Sequence, residues 1–317
     1  QQQQQQQQEP PPPPFDIVII GGGATGSGIA LDASTRGLRV CLLEKDDFAS
    51  GTSSRSTKMA HGGVRYLQRA VNHLDWNEMH FVYDSLRERQ HFFNVAPHLV
   101  RALPILTPCY NYWDAGIMYC GLKLYDFLSR FSPLAIQPVE GYKVDTISKH
   151  PVQWISSQQT KQEYCPVLND KSLVGSVMYY DGCFNDARIA LANVLTAASL
   201  GSCVLNHCKV VKILKDEQTK QCSGVIAVDE LTGKKYEIKA RCVINATGYL
   251  SDSILKMDRE NSVLNFDASS NNGSGGEHDT IRPSSGVHIT VDSRIVPRGT
   301  GILFPKTKDG RVLFVVP

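Results

Sequence analysis

Residues 15–44, FDIVIIGGGATGSGIALDASTRGLRVCLLE, constrain the fold of this chain more than any other stretch. The apolar run from Phe15 to Ile20 reads as a buried strand. Gly21, Gly23 and Gly26 follow it in GxGxxG spacing and open a helix-like run that reaches Arg36, where Gly37 stops it. A second apolar strand covers Arg39 to Leu43 and ends at Glu44. This is the order of a dinucleotide-binding βαβ unit: glycines allow a tight turn, backbone amides face a pyrophosphate, and a helix N-terminus stands behind them. The glycine spacing alone is a weak signal; placed between strand and helix, with a carboxylate 18 residues after Gly26, it becomes a strong one. A carboxylate at Glu44 accepts from a free ribose 2′-OH and repels a 2′-phosphate, which favours FAD or NAD over NADP. A helix start whose glycines serve only close packing is the competing reading.

At 317 residues the chain is long enough for about two domains with substantial cores. A net charge of +2 makes no case for nucleic acid or a strongly acidic partner. The nine cysteines are scattered, with no CxxC pair, which argues against a disulfide framework or structural zinc and for a reducing compartment. No apolar run approaches the ~18 residues of a membrane-spanning helix. Residues 1–14, eight glutamines followed by Glu9 and five prolines, predict a disordered leader without the arginines of a mitochondrial presequence. With no initiator Met at one end and a strand-like run stopping at Pro317, the sequence reads as cut at both ends.

After Glu44 comes a loop dense in hydroxyls, with Thr52, Ser53, Ser54, Ser56 and Thr57; such a loop contacts phosphate or flavin, or is simply solvated. In MAHGGVRYL (59–67), two glycines after a histidine let backbone approach a planar ligand. If this segment is helical, His61 and Arg65 share a face. Residues 72–95 predict one amphipathic helix with Trp76, Met79, Tyr83, Leu86 and Phe93 on its apolar side, and its histidines lack a metal-ligand cluster. Two prolines then bracket a short strand, and an aromatic-rich helix from about Asp114 to Leu128 follows. Trp113, Tyr119, Tyr125 and Phe127 on this segment form core, line a pocket, or rest on a membrane surface.

A strand from Gly175 leads to Asp186, a good N-cap for a helix over 187–200 whose buried face is Leu191, Val194, Leu195 and Ala198. Three strand-like runs, Cys203 to Leu214, Cys222 to Asp229 and Lys235 to Ala240, predict a β-meander, after which a strand ends in the small-residue turn Ala246-Thr247-Gly248. Asn245 opens a formal glycosylation sequon that its place near the cofactor predicts to stay unmodified. Residues 264–279 predict a flexible insertion, and residues 282–292 and 301–317 antiparallel strands. The fold class is therefore α/β: a Rossmann-like βαβ domain for FAD or NAD with a β-meander, plus a smaller α+β domain with an antiparallel sheet. The expected division assigns 15–95 and 181–255 to the dinucleotide-binding domain, and 96–180 and 256–317 to the second domain.

The chain resembles the FAD-linked glycerol-3-phosphate dehydrogenases. The match is carried by GGGATGSGIALDASTRGL (21–38), DFASGTSSRSTKMAHGGVRYL (47–67), APHL (96–99), YYDGCFNDAR (179–188), DELTGKKY (229–236), INATG (244–248), RPSSGVHI (282–289) and KDGRVLF (308–314). These blocks are collinear across nearly all of the chain after the leader, and SRSTKMAHGGVRYL is far more specific than the glycine loop. The resemblance implies oxidation of glycerol 3-phosphate to dihydroxyacetone phosphate, hydride passing to flavin N5 and electrons onward to a quinone. It makes the dinucleotide-binding domain an FAD-binding domain and the second domain a substrate domain, implies a peripheral site on the mitochondrial inner membrane, and admits a homodimer.

In this reading His61 accepts the hydroxyl proton, or else only fixes its loop. Arg65 grips the substrate phosphate, or pairs with the FAD pyrophosphate instead, and Tyr66 hydrogen-bonds the ketone oxygen. Gly21, Gly23 and Gly26, with Ala24 and Thr25 at the helix start, surround the pyrophosphate, while Glu44, followed by Lys45, binds the adenosine ribose. The resemblance sets Thr52, Ser53, Ser54 and Lys58 along the flavin, Val210 near adenine, Ala246, Thr247 and Gly248 beside the dinucleotide, and His288 facing the flavin from a strand. The family continues well beyond Pro317, so the chain as given is expected not to turn over. An FAD amine oxidase of the glycine or sarcosine type and a non-catalytic flavin-binding module are the alternatives; the first has no use for a phosphate clamp, and the second would hold a flavin that no alcohol bleaches.

Overall fold

The computed structural model describes residues 13–130, 151–166, 168, 172–260, 280–292, 299–305, 307 and 311–317. Residues 1–12 of the expected leader and the expected insertion at 264–279 lie outside the described residues. In chain order the elements are β1 (Phe15–Ile20), α1 (Ala24–Thr35), β2 (Val40–Leu43), β3 (Met59–Ala60), α2 (Val64–His73), α3 (Trp76–Val95), β4 (Val100–Cys109) and α4 (Tyr112–Arg130). Then come β5 (Gln153–Ser156), α5 (Ser157–Gln159), β6 (Gly175–Phe184), α6 (Asp186–Ser199), β7 (Cys203–Leu205), β8 (Cys208–Lys215), β9 (Cys222–Asp229), β10 (Lys235–Asn245), α7 (Ser251–Glu260), β11 (Gly301–Phe304) and β12 (Leu313–Val315). The chain divides into two compact units, residues 1–55 with 186–286, and residues 56–185 with 287–317.

The first unit is built on a sheet of order β7-β2-β1-β10-β9-β8. β7, β2, β1 and β10 run parallel, and β10, β9 and β8 form an antiparallel meander. The parallel strands are continuous apolar runs because both their faces are covered. Ile19, Val40 and Leu42 pack with Ala30 and Ala33 of α1 and Val194 and Ala197 of α6, while Val18, Ile20, Cys41 and Leu43 pack against Val210, Val225 and Ala227 of the meander.

Two sequence expectations change here. The expected strand over 203–214 is two strands, β7 completing the parallel sheet and β8 starting the meander. Conversely, Lys235 to Ala240 and the strand reaching Asn245 are one strand, β10, whose first half pairs with β9 and whose second half pairs with β1. The buried face of α6 also differs: Ala190, Val194 and Ala197 are buried, whereas Leu191 and Leu195 are exposed. The reason is α1, a helix of Ala, Gly and Ser that permits close approach, so the small residues of α6 face it and the leucines turn outward.

The second unit carries a sheet of order β12-β11-β4-β6-β3, with β5 also paired to β6. β4 and β6 run antiparallel over their full length, and β11 joins β4 in parallel, so this sheet is mixed rather than wholly antiparallel. Pro104 and Pro108 do not bracket a strand but lie inside β4; four residues apart, both lacking N–H groups fall on the same edge of the strand. One face of the sheet packs Leu103, Ile105, Val177 and Tyr179 under Leu67, Val82, Leu86, Leu122 and Tyr125 of α2, α3 and α4.

The helix expected over 72–95 is α3, which starts at Trp76; Asn72 and His73 end α2 instead. Leu74 takes a left-handed conformation (φ 51°), and Asp75 starts α3 by accepting from Asn77 N (2.8 Å) and Glu78 N (3.3 Å). Val82, Leu86, Arg89 and Phe93 form the buried stripe of α3, and Trp76, expected on that side, is 77% exposed. Residues 56–95, assigned in the sequence to the FAD-binding domain, group with the second unit because α2 and α3 pack on its sheet. Residues 280–292, expected to form a strand, make no ladder among the described residues; Val287 and Ile289 are exposed. Among the described residues no helix is long and apolar enough to cross a membrane.

Candidate active site

In the first unit a cavity of about 650 Å³ opens where β1, β2 and β10 end. The loop after β1 forms its floor. Gly21 is left-handed (φ +105°), and a Cβ there would lie 2.6 Å from the Ala246 carbonyl oxygen; one on Gly26 would lie 1.8 Å from the Gly21 oxygen. These glycines are required by close backbone approach. Gly26 itself is buried beneath the loop and does not line the cavity.

The start of α1 is left open to a ligand. Its N-cap, Gly23, has no side chain to cap with, and no acid sits in the first turn. Ser53 donates nothing there but accepts the Ala24 N–H on its Oγ at 2.8 Å, placing a hydroxyl beside the helix terminus. Unpaired amides and the positive end of the helix dipole thus face the cavity, as a pyrophosphate requires.

Glu44 closes the rim from the end of β2. Its Oε2 accepts from Gly22 N (2.7 Å) and its Oε1 from Asp46 N (2.9 Å). The carboxylate therefore locks the glycine loop as well as facing the ligand, and its remaining lone pairs are free to take ribose hydroxyls. On the far side, Ala246 N donates to Ile20 O (2.8 Å), which ties the turn after β10 to the end of β1. Asn245 is engaged at both ends of its amide: Oδ1 accepts from Thr247 Oγ1 (2.7 Å) and Nδ2 donates to Ser251 O (3.0 Å).

The cavity brings together Gly21, Gly23, Ala24, Thr25, Glu44, Lys45, Thr52, Ser53, Val210, Ala246, Thr247 and Gly248 of the residues singled out in the sequence. Ser54 stays outside it and bonds Gly51 O at 3.2 Å. Sequence reasoning missed the apolar wall of Leu250, Ile254 and Met257 on and before α7; their spacing of four and three residues was the available signal. The open helix terminus, the glycine cradle and the rim carboxylate fit an FAD-type dinucleotide, with Val210 and the α7 wall offering apolar surface for an adenine.

His61, Arg65, Tyr66, Lys58 and His288 belong to the second unit. Gly63, left-handed at φ +71°, is the N-cap of α2, so the helix starts at Val64 and His61 precedes it. His61 and Arg65 therefore do not share a helical face as expected. Lys58 is itself left-handed (φ 58°), and its carbonyl accepts from Phe184 N at 3.0 Å, holding the segment against β6. The His61 ring stacks with Phe314 (centroids 6.4 Å apart, 10° interplanar), and its Nδ1 accepts from Gly63 N at 3.2 Å. A neutral ring with Nδ1 accepting carries its proton on Nε2. Tyr66 packs edge-on to Phe81 at 5.0 Å and lies under the Arg69 guanidinium. His288 sits in the exposed, strandless segment 280–292.

Beneath the His61 turn lies a polar cluster that the sequence did not announce. Arg89 of α3 and Asp181 of β6 form a fully buried ion pair at 2.5 Å, and Tyr125 of α4 joins both to the turn. Burial pushes the Asp181 carboxyl up from its ordinary range, and the Arg89 guanidinium pulls it back down. Burial, then the Asp181 charge, holds the Tyr125 hydroxyl well above its ordinary value, so it stays protonated. The available signal was a charged residue inside the apolar stripe of α3.

The signature of the family described as FAD dependent oxidoreductase matches residues 16–317. The chain is 44% identical over 300 residues to "Probable glycerol-3-phosphate dehydrogenase, mitochondrial" of Dictyostelium discoideum, covering 93% of this chain and 42% of that protein. It is 43% identical over 298 residues to "Glycerol-3-phosphate dehydrogenase, mitochondrial" of Homo sapiens, covering 93% of this chain and 37% of that one. The chain thus spans less than half the length of these relatives. Among solved structures, the glycerol-3-phosphate dehydrogenase from Bacillus halodurans complexed with FAD superimposes with a TM-score of 0.61 at 26% identity, over 96% of this chain and 45% of that one.

Proposed function

This chain belongs to the FAD-dependent oxidoreductase family, and from that premise we propose that the protein oxidises the secondary alcohol of glycerol 3-phosphate to the ketone of dihydroxyacetone phosphate. The observation that carries the redox class is the cradle formed by Gly21, Gly26 and the turn at Ala246, which any Cβ would fill. The substrate is carried by the names of relatives at 43–44% identity. When bound, FAD supplies the acceptor for the hydride leaving carbon. The open start of α1 holds the pyrophosphate, Glu44 the adenosine ribose, and Ser53 the phosphate edge beside the helix.

In this reading His61 serves the reacting oxygen. To accept the hydroxyl proton on Nε2, the ring must carry its own proton on Nδ1, which means giving up the 3.2 Å bond from Gly63 N. Arg65, on the first turn of α2, supplies the planar cation for the substrate phosphate. Tyr66, next in the chain, offers its hydroxyl to the carbonyl oxygen as it forms.

We assign the protein to mitochondria, as its relatives are named, and to the inner-membrane surface, with a quinone as the acceptor that reoxidises the cofactor. An exposed apolar stripe on α4, Trp113, Ile117, Leu124 and Phe127, supports contact with lipid. The deciding experiment is the visible spectrum of the purified full-length holoprotein before and after anaerobic glycerol 3-phosphate. Bleaching of the oxidised flavin band is expected. A flavin that bleaches with a small amino acid but not with glycerol 3-phosphate would overturn the substrate, and a preparation without flavin would overturn the class.

A further inference from the structure

We propose that Tyr125, Asp181 and Arg89 are positioning residues, a buried relay that fixes the His61-Gly62-Gly63 turn and with it the orientation of the His61 ring. The inference rests on the role given to His61 above. Three elements distant in sequence converge under this turn: α3 contributes Arg89, α4 Tyr125 and β6 Asp181. The bonds have a single direction. Arg89 Nη1 (2.5 Å) and Tyr125 OH (3.0 Å) both donate to Asp181 Oδ1, and Gly62 N donates to Tyr125 OH at 2.6 Å. The lone Tyr125 proton is committed to Asp181, so the hydroxyl must turn a lone pair towards Gly62. Gly63, the next residue, donates to His61 Nδ1 in the resting turn; with Gly62 N anchored on Tyr125, the turn holds its place when that bond is given up for proton transfer.

The turn has little freedom to settle elsewhere. A Cβ on Gly62 would lie 2.5 Å from Leu86 Cδ2 and 2.9 Å from Tyr125 OH. Stability alone does not account for the relay. A buried ion pair is commonly matched or bettered by apolar residues of the same volume, and Arg89 Nε is left buried without a partner. What a charged network provides that an apolar core cannot is a directional hold on one backbone amide.

The test compares the full-length, flavin-loaded wild-type enzyme with Tyr125→Phe, His61→Gln and the double variant, by steady-state turnover of glycerol 3-phosphate and by hydrogen exchange at the Gly62 amide. Tyr125→Phe removes one oxygen and keeps the ring. It is expected to retain flavin, to exchange Gly62 faster, and to lower kcat by up to about 10²-fold, the scale of a small misplacement of a reacting group. The double variant is expected to be no slower than His61→Gln alone, because the relay acts through that ring. Losses that multiply in the double variant would overturn the inference. If His61→Gln turns over normally, the role given to His61 fails, and the relay is judged on structure alone: unchanged Gly62 exchange and an unchanged His61 tautomer by ¹⁵N NMR in Tyr125→Phe overturn it. Should Tyr125→Phe not fold, Arg89→Lys gives the same two readouts; with a cation kept on Asp181, it must stay closer to wild type than Arg89→Met for the relay to stand.

Discussion

At the scale of single residues, the glycine loop and the buried ion pair make different demands. Gly26 tolerates no side chain: its Cβ would stand 1.8 Å from a backbone oxygen that cannot yield without moving the loop off Ala246. Gly26→Ala is therefore expected to leave the sheet folded by circular dichroism but to yield colourless protein, and a flavin-to-protein ratio equal to wild type would refute this. Arg89 is a different case. Removing it leaves Asp181, about 1% exposed, as an uncompensated charge. Arg89→Met is expected to cost about 3–5 kcal/mol in urea unfolding, and a loss under 1 kcal/mol would show that Asp181 is protonated in the native state. The two cases also separate what a sequence discloses. Gly21, Gly23, Gly26 and Glu44 lie within one local unit whose spacing is set by backbone geometry, so their convergence on one loop was legible. Arg89 and Asp181 stand 92 residues apart, and only tertiary packing makes them partners.

At the scale of elements, the meander carries its own pH sensitivity. Asp216, between β8 and β9, accepts from Gln218 N (3.0 Å), Thr219 N (2.7 Å) and Thr219 Oγ1 (3.0 Å). Asp229, the last residue of β9, accepts from Thr232 Oγ1 (2.6 Å) and Leu231 N (2.9 Å). Hydrogen bonds from Thr219 and from Thr232, respectively, hold these carboxyls below their ordinary value of 3.8. A depressed folded-state pKa means stability that is present above 3.8 and lost as pH falls through the lower folded value. The double variant Asp216→Asn, Asp229→Asn is expected to flatten the fall of Tm on acidification below about pH 4; an unaltered slope would contradict the assignment. Elements were legible wherever one pattern ran to its natural stop, as in β1, α1, β2 and β9. They failed where a neighbour decided the outcome. β10 is one strand because β9 takes its first half and β1 its second, and α6 buries alanines because α1 comes close. The break at Leu74 turns on a single left-handed residue that helical periodicity does not register.

At the scale of the whole molecule, the open question is where the protein sits, and α4 bears on it directly. Trp113, Ile117, Leu124 and Phe127, at intervals of four, seven and three residues, place four large apolar side chains on one side of a 19-residue helix. They are 80%, 55%, 37% and 55% exposed, while Leu122 and Tyr125 of the same helix are buried in the core of the second unit. The sequence left three readings of this segment open, and the structure divides them: Tyr125 is core, and the stripe containing Trp113 and Phe127 is surface. A stripe of this kind left in water forgoes burial worth about 1.5–3 kcal/mol for each large side chain, which a lipid interface would recover without any spanning helix. Trp113→Ser with Phe127→Ser removes the two largest members and leaves the buried residues Leu122 and Tyr125 of the helix unchanged. The substituted protein is expected to keep the wild-type Tm while its partition onto anionic vesicles falls by about 10²-fold, the equivalent of roughly 3 kcal/mol. Partition that is unchanged, or that disappears at high salt in both proteins alike, would mean that basic residues rather than this stripe meet the membrane.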